Sequence, residues 1–392
     1  MPLTGQHPAP ESPKPLAGVK VLDLSRVLAG PWAGQILADY GADVIKVERP
    51  GAGDDTRAWG PPWWGDGPDR VAAYFLCANR GKRSVAIDIA SPEGIQQVRE
   101  LAREADVLIE NYKVGQLTKY GLDARCLQAL NPRLIYCSIT GYGQTGPLSH
   151  KAGYDFAIQA EAGLMSITGN KGEEPQKVGV AVTDLMTGVY AVTAILAALH
   201  ERQRTGKGRV LDASLFDVQV AMLANQASNQ LVGQTRPTRM GNAHPNIVPY
   251  QVFPTRDGHM VLAVGNDGQF QRFCEVAGEP GVARDERFST NPARVAHRQT
   301  LVPMITGWTM QRDTADWVRT LDQAGVPCAP ILDVAQVMEH PHVLARGMTL
   351  PATGSAPPMV AHPILFDGQR PSAPLPPPTL GKHMARWAGP TD

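Results

Sequence analysis

A chain of 392 residues is long enough for a sizeable core and for two domains. Lys plus Arg and Asp plus Glu both number 37, so the net charge is zero, and nothing at whole-chain level argues for a nucleic-acid or membrane-surface partner. Cys77, Cys126, Cys137, Cys274 and Cys328 form no CxxC pair, which indicates buried thiols in a reducing compartment, not a disulfide frame or a zinc site. Residues 1–18 (MPLTGQHPAPESPKPLAG) lack a basic segment followed by an apolar one, so no signal peptide is expected, and their proline content predicts a disordered lead-in. The longest apolar run, Val189 to Leu199, is too short to cross a bilayer, which leaves a cytoplasmic protein as the expectation.

In chain order, Val19 to Leu24 reads as a buried strand. A loop through Gly30 and Pro31 leads to a helix from Trp32 to Tyr40, stopped by Gly41. Asp43 to Glu48 is the next strand, and the strand-helix-strand unit predicts a parallel sheet. The glycines here do not make GxGxxG, so a nicotinamide fingerprint is unsupported. The loop from Pro50 to Arg70 carries Trp59, Trp63 and Trp64, which either pack it onto the body or form a lid or a dimer contact. Arg80, Lys82 and Arg83 precede a strand at Val85 to Ile89; such a patch either holds phosphates or is solvated surface. Ser91 and Pro92 open a helix to Glu104 with a good cap and first position. Asp106 to Glu110 is a strand, and Asn111 and Tyr112 follow at its carboxyl end, where open α/β sheets place ligands. Leu134 to Ser138 is another, followed by the glycine-rich loop 141–147.

The stretch from Lys151 to Leu199 organises the chain. Asp155 follows Gly153 and Tyr154 and opens an apolar run. Asp184 stands at the start of a helix whose body, Leu185 to Leu199, is almost wholly apolar or small. Asp184 reads either as that helix's N-cap or as a nucleophile. The positive end of the helix dipole is expected to keep it ionised. Arg209 to Ala213 is a strand and Leu215 to Ser228 a helix. The polar, proline-containing segment 234–249 marks a domain boundary. Tyr250 to Val264 predicts a hairpin turned at Arg256, Asp257 and Gly258. Helices follow at Phe270 to Ala277, His297 to Met310 (with Pro303 to kink it or shift its start) and Asp313 to Ala324. The chain is expected to return to the first domain after 325–330, giving a large domain over 1–225, a small one over 226–327 and a returning part over 328–392. The tail from Gly368 reads as an extended arm.

The blocks GVKVLDLSRVLAGPWAGQILADYGADVIKVERPGAGDDTR, NRGKRSVAIDI, DVLIENYKVG, RLIYCSITGYGQTGP, GYDFAIQ and VAVTDLMTG resemble the family III (CaiB/BaiF type) CoA-transferases over nearly the whole chain. The resemblance implies an α/β fold with a Rossmann-like parallel-sheet large domain, a smaller inserted α+β domain, and a homodimer interlocked like links. It implies Asp184 as the catalytic aspartate, with Thr183 where relatives often have Gly or Ala, and Asp155 as the second acidic candidate. It further implies a relay: acyl-aspartyl anhydride, aspartyl-CoA thioester, second anhydride, new acyl-CoA. That relay needs a dry pocket and backbone donors for its oxyanions. CoA is then a substrate, and no cofactor or metal is called for. For CoA binding the resemblance points to Val27, Leu28, Arg49, Asn111, Tyr112 and Lys119. Leu28 stands where formyl-CoA transferase has Gln, which speaks against an oxalate or formate substrate.

Related α-methylacyl-CoA racemases set a His opposite the Asp. That position is Tyr154 here, and a phenol with a pKa of about 10 is a poor proton acceptor. The transferase reading is therefore preferred, with the racemase as its alternative and a non-catalytic CoA-binding subunit as a third reading, opposed by the intact Asp184. The segment 240–249 resembles the succinyl-CoA-dependent dicarboxylate branch, which brings Gly241, Asn242 and His244 forward as substrate-facing residues, against a plain linker. Arg26, Arg57, Arg83 and Arg239 are candidates for a distal carboxylate.

Overall fold

The computed structural model describes residues 12–67, 70–354, 356–371, 373 and 375–388. Residues 1–11 of the expected lead-in and 68–69 of the tryptophan loop lie outside the described residues. The chain divides into two compact units, one built from residues up to Gly163, Val178–Ala227 and Pro341 onward, the other from Leu164–Lys177 and Ser228–His340.

The first unit is organised by six parallel strands: β1 (Lys20–Asp23), β2 (Asp43–Glu48), β3 (Lys82–Ala86), β4 (Val107–Glu110), β5 (Ile135–Thr140) and β6 (Val210–Ser214). Their order is β3-β2-β1-β4-β5-β6. The order reverses between β1 and β4, and a parallel sheet opens its ligand crevice at the carboxyl ends of such a pair. Successive side chains feed opposite faces, as the pleat requires. Val21, Val44, Val107 and Ile135 meet the helices Ala29–Asp39 and Val182–Thr205, while Leu22, Ile45, Leu108 and Tyr136 meet Pro92–Glu104 and Ala124–Leu130. Both faces are covered, which is why these strands read as continuous apolar runs. At Gly188 the 182–205 helix comes so close to the 29–39 helix that a Cβ would sit 2.7 Å from the Ala29 carbonyl.

Several expectations shift for physical reasons. The third strand begins at Lys82, not Val85, because Lys82 and Ser84 are buried polar members of it. Arg80, Lys82 and Arg83 form neither a phosphate site nor a solvated patch; they pair with Asp39, Asp23 and Asp43. The helix expected over Leu215 to Ser228 is two, Leu215–Met222 and Ala224–Gly233, parted at Ala224 with φ +44°. Trp63 and Trp64 pair with Val71–Ala72 in a small ribbon, with Arg70 over the Trp63 ring, while Trp59 stays half exposed against Tyr74. The tail runs along the edge strand β3: Gly81 N–H donates to the Leu375 carbonyl and His383 N–H to the Ser84 carbonyl, and Trp387 is buried. An extended arm thus covers an otherwise open sheet edge.

The 182–205 helix is, by length and composition, apolar enough to cross a bilayer, contrary to expectation. A core helix passes the same test, and this one buries Thr183, Asp184, Thr187 and Arg202 along its inner face.

The second unit contains the expected hairpin, Tyr250–Pro254 with His259–Ala263, and Cys328–Pro330 adds a third antiparallel strand. That strand keeps the chain in this unit until His340, so the return comes later than residue 328. Residues 164–177 also belong here: Gly241 N–H donates to the Gly169 carbonyl, and Arg239 binds the carbonyls of Asn170 and Glu173. Phe253, Phe273, Leu301 and Trp317 form the core, and Pro303 sits inside the helix Arg298–Thr309.

In the first unit, the Lys82 ammonium, fully buried, donates to Asp23, Asn79 and the Pro31 carbonyl. Lys82→Ala strands the Asp23 carboxylate, and the expected loss is about 3–5 kcal/mol in denaturant unfolding. Changing Asp23 as well should cost less than the sum of the two single changes.

Candidate active site

The crevice at the sheet's switch point is a cleft of about 190 Å³. Val27 and Leu28 line it after β1, Asn111 and Tyr112 after β4, Gly141 after β5, and Asp184 from the 182–205 helix. A second cleft of about 320 Å³, lined by Arg49, Asp54 and Tyr120, meets the first at Arg26, Tyr112 and Gln116.

Asp184 occupies the third position of its helix and is not the N-cap; Ala181 stands at the cap and offers no side-chain bond. The cap comes from Asp155, whose Oδ1 accepts from the N–H groups of Thr183 at 2.8 Å and Asp184 at 3.3 Å. Gln159 donates to the other Asp155 oxygen at 2.6 Å, and the Thr183 hydroxyl bonds Gln219 at 2.7 Å. Both Asp155 oxygens are therefore engaged. The Asp184 side chain, by contrast, has no hydrogen-bond partner among the described residues. Burial, then the neighbouring Asp155 carboxylate, pushes its carboxyl up to about 7. Burial and the Asp155 charge outweigh the helix dipole expected to keep Asp184 ionised, and Asp155 also takes the N–H groups of Thr183 and Asp184. Tyr74 belongs to the same neighbourhood and gave no signal in the sequence: burial, followed by the charges of Asp184, Cys77 and Asp155, pushes its phenol up to about 12.

The loop between β1 and the 29–39 helix is bound from several sides. Asn111 Oδ1 accepts from Arg26 N–H at 2.9 Å and its Nδ2 donates to the Arg26 carbonyl at 2.7 Å, so this amide is spent on the loop. Val27 has φ +71°, a left-handed conformation that costs a β-branched residue about 1–3 kcal/mol. Burial raises the Asp54 carboxyl, but the Lys46 ammonium and the Thr56 hydrogen bonds hold it down to about 2.

A model of CoA-transferase family III matches residues 16–384. The chain belongs to this family. It is 50% identical to a succinate–glutarate CoA-transferase of Agrobacterium fabrum, over 96% of each chain. It is 44% identical to the human succinyl-CoA:glutarate CoA-transferase, over 94% of this chain and 84% of that one. A solved CaiB/BaiF family protein from Brucella suis superposes with a TM-score of 0.84 at 50% identity, covering 95% and 98% of the two chains. The protein is thus a CoA-transferase of family III, and a racemase reading is not favoured.

Within this CoA-transferase the remaining candidates are spread out. Arg49 is exposed at the rim of the second cleft and makes no ion pair among the described residues. Lys119 is exposed, with Nζ 4.6 Å from the centroid of the Tyr120 ring. Tyr154 lines the first cleft and is 66% exposed, a poor setting for a buried acid or base. Gly241, Asn242 and His244 belong to the second unit; Gly241 turns at φ +62°, and the His244 ring packs near Tyr250 and accepts from Asn246 N–H. Of the four arginines, Arg57 is held by Glu48, Arg83 by Asp43, and Arg239 by main-chain carbonyls. Arg26 lines both clefts and makes one exposed ion pair, with Asp55.

The folded chain holds the Asp184 proton up to about pH 7, whereas the unfolded chain releases it near 3.8. The contribution of this carboxyl to stability is therefore present at pH 4 and lost as pH rises to 7. Asp184→Asn should unfold at higher denaturant than wild type at pH 8, by on the order of a few kcal/mol, with the difference closing toward pH 4.

Proposed function

We propose that the protein moves CoA from succinyl-CoA to a dicarboxylic acid, with Asp184 as the nucleophile. The observation that carries this reading is the buried, unpartnered Asp184 carboxyl on a cleft at the sheet's switch point. An Asp184 oxygen attacks the thioester carbonyl, the C–S bond breaks, and CoA leaves as a thiolate with an acyl-aspartyl anhydride behind it. The thiolate attacks the aspartyl carbonyl, releasing succinate and forming aspartyl-CoA. The acceptor carboxylate attacks that thioester and expels the thiolate, which then attacks the acceptor carbonyl of the second anhydride and restores Asp184. No net proton is consumed. A carboxylate stripped of donors and water is reactive toward an acyl carbon, and the same dryness protects the anhydrides from hydrolysis.

In this reading CoA lies along the joined clefts, with Val27, Leu28 and Tyr112 beside its arm and Arg49 and Lys119 near its phosphates. Asn111 and Asp155 act as positioning residues, since their polar atoms are already bonded within the protein. Tyr74 and Tyr154 border the reacting centre, and Arg26 is the guanidinium available to a substrate anion. Gly241, Asn242 and His244 are carried as substrate-facing residues on family resemblance. The dicarboxylate acceptor follows the named activities of the relatives. Self-association as a homodimer fits the exposed apolar Val189 and Tyr190 on the 182–205 helix and Leu231 and Val232 on the helix Ala224–Gly233. The five free cysteines suit a cytoplasmic setting.

The test is acyl exchange from succinyl-CoA to a panel of glutarate, itaconate, mesaconate, malate, oxalate and a monocarboxylate. A dicarboxylyl-CoA product that disappears in Asp184→Ala is the expected result; absence of exchange with wild type, or α-deuterium wash-in to a 2-methylacyl-CoA, would overturn it. Because the nucleophile must be ionised, the rate should climb through about pH 7 and be about tenfold below its plateau at pH 6.

A further inference from the structure

Under the two clefts lies a fully buried ion pair whose place in the reaction is not obvious from either partner alone. Lys46 on β2 and Asp54 in the following loop both have side chains with no exposed surface, and Lys46 Nζ lies 2.9 Å from Asp54 Oδ2. That oxygen accepts no well-directed hydrogen bond, so the contact is chiefly ionic. Each partner also reaches the loop after β1. Lys46 donates to the Ser25 carbonyl at 2.8 Å, and Asp54 Oδ1 accepts from Val27 N–H at 3.3 Å. The same Asp54 oxygen accepts from the N–H and hydroxyl of Thr56, while Asp54 N–H donates to Glu48. Asp54 therefore fixes its own loop, which carries the second cleft, and also takes hold of the loop that lines the first.

The residue held there is Val27, a β-branched side chain in the left-handed region. An unrestrained loop relaxes out of that conformation, so something must over-determine it. Ser25 is tied to Asp23 and Lys46, Arg26 to Asn111, and Val27 to Asp54. Arg26 also reaches Asp55 through an exposed ion pair, which leaves the Lys46–Asp54 pair as the buried tie between the loops of both clefts.

We infer that the Lys46–Asp54 pair is a positioning device for acyl-CoA: it locks the strained Val27–Leu28 backbone and sets the two clefts at the spacing one CoA molecule spans. This rests on the CoA-transferase reading of the clefts. Both side chains are fully buried, Asp54 at the wall of the second cleft, so the pair acts through the backbone it holds. Misplacing a binding surface by about an ångström is enough to weaken a ligand markedly.

The experiment measures binding of CoA itself by calorimetry to the full chain. Asp54→Asn should weaken CoA roughly 10- to 100-fold, with the KM for succinyl-CoA rising in step and the KM for the acceptor acid little moved. Lys46→Met combined with Asp54→Asn removes both charges and avoids a lone buried ammonium, so it serves if the single variant folds poorly. Into whichever background folds, Val27→Gly is then introduced. Glycine takes φ +71° without strain, so it should recover most of the lost affinity. A merely structural role predicts lost thermal stability with no recovery by glycine. Unchanged CoA affinity in the charge variants, or a loss that Val27→Gly does not repair, overturns the inference while leaving the transferase reading intact. Wild type that binds no CoA overturns both.

Discussion

The bond on which the rest of the site depends is the one from Asp155 to the start of the 182–205 helix. A helix leaves its first N–H groups unpaired, and a buried helix must find acceptors for them. Asp155, from 28 positions upstream, supplies one oxygen to two of them. This frees Asp184 from the capping duty that its position would otherwise suggest. It also places a second carboxylate beside it, inside a region that water barely reaches. Donors are spent on Asp155, whereas Asp184 is buried without one, and burial with the neighbouring Asp155 charge pushes the Asp184 carboxyl up. Gln159 and Gln219 add to this arrangement: the first donates to the second Asp155 oxygen, and the second accepts from the Thr183 hydroxyl.

A second constraint comes from the sheet. On the face toward the 29–39 and 182–205 helices, β1 and β2 begin apolar and end ionic. Val21 gives way to Asp23 on β1 and Val44 to Lys46 and Glu48 on β2, while β3 contributes Lys82 and Ser84. Asp23 stands in register with Lys46, and Lys46 with Ser84. An apolar layer would have packed as well at lower cost, because buried ion pairs return little net stability. What it would not supply is directional contact with main-chain groups. Lys46 reaches the Ser25 carbonyl in the loop that enters the cleft, and Lys82 the Pro31 carbonyl in the first turn of the helix after it. The ionic layer thus ties the sheet to its loops by geometry that methyl groups cannot specify.

Much of the frame could be read from the chain. The strands were visible because a sheet covered on both faces needs uninterrupted apolar runs, and Ser91 and Gly41 mark helix ends by local chemistry. Asp184 was visible as the acid at the head of a long apolar helix. The failures have a common cause, which is that the deciding partner lies far off in sequence. Lys82 looks like a surface basic residue until Asp23, 59 positions away, is seen beside it. Asn111 looks like a ligand contact until its amide is found clasping Arg26. Asp155 looks like a second acid until its oxygens are counted. The break at Ala224 has no Gly or Pro to announce it, and nothing near Tyr74 marks it as a neighbour of the two aspartates.

The strained Val27 and the unpartnered Asp184 line one cleft, and this is where the chain departs from local preference on two counts at once. A sequence that satisfied every local rule would give Val27 an extended backbone and Asp184 a set of donors. Either change would lower the energy of the resting protein. The first would move the backbone that borders a bound thioester; the second would stabilise the free carboxylate more than the acyl-bound one and raise the barrier to attack. The cost of both features is met by groups whose polar atoms are engaged within the protein: Lys46, Asp54 and Asn111 for the loop, Asp155 and Gln159 for the helix. Each of these is held inside the protein by hydrogen bonds or, for the second Asp54 oxygen, by an ion pair. The division follows from the chemistry, because a group that must hold its neighbour fixed gains from being saturated, and a group that must form and break a bond to carbon gains from having no other partner.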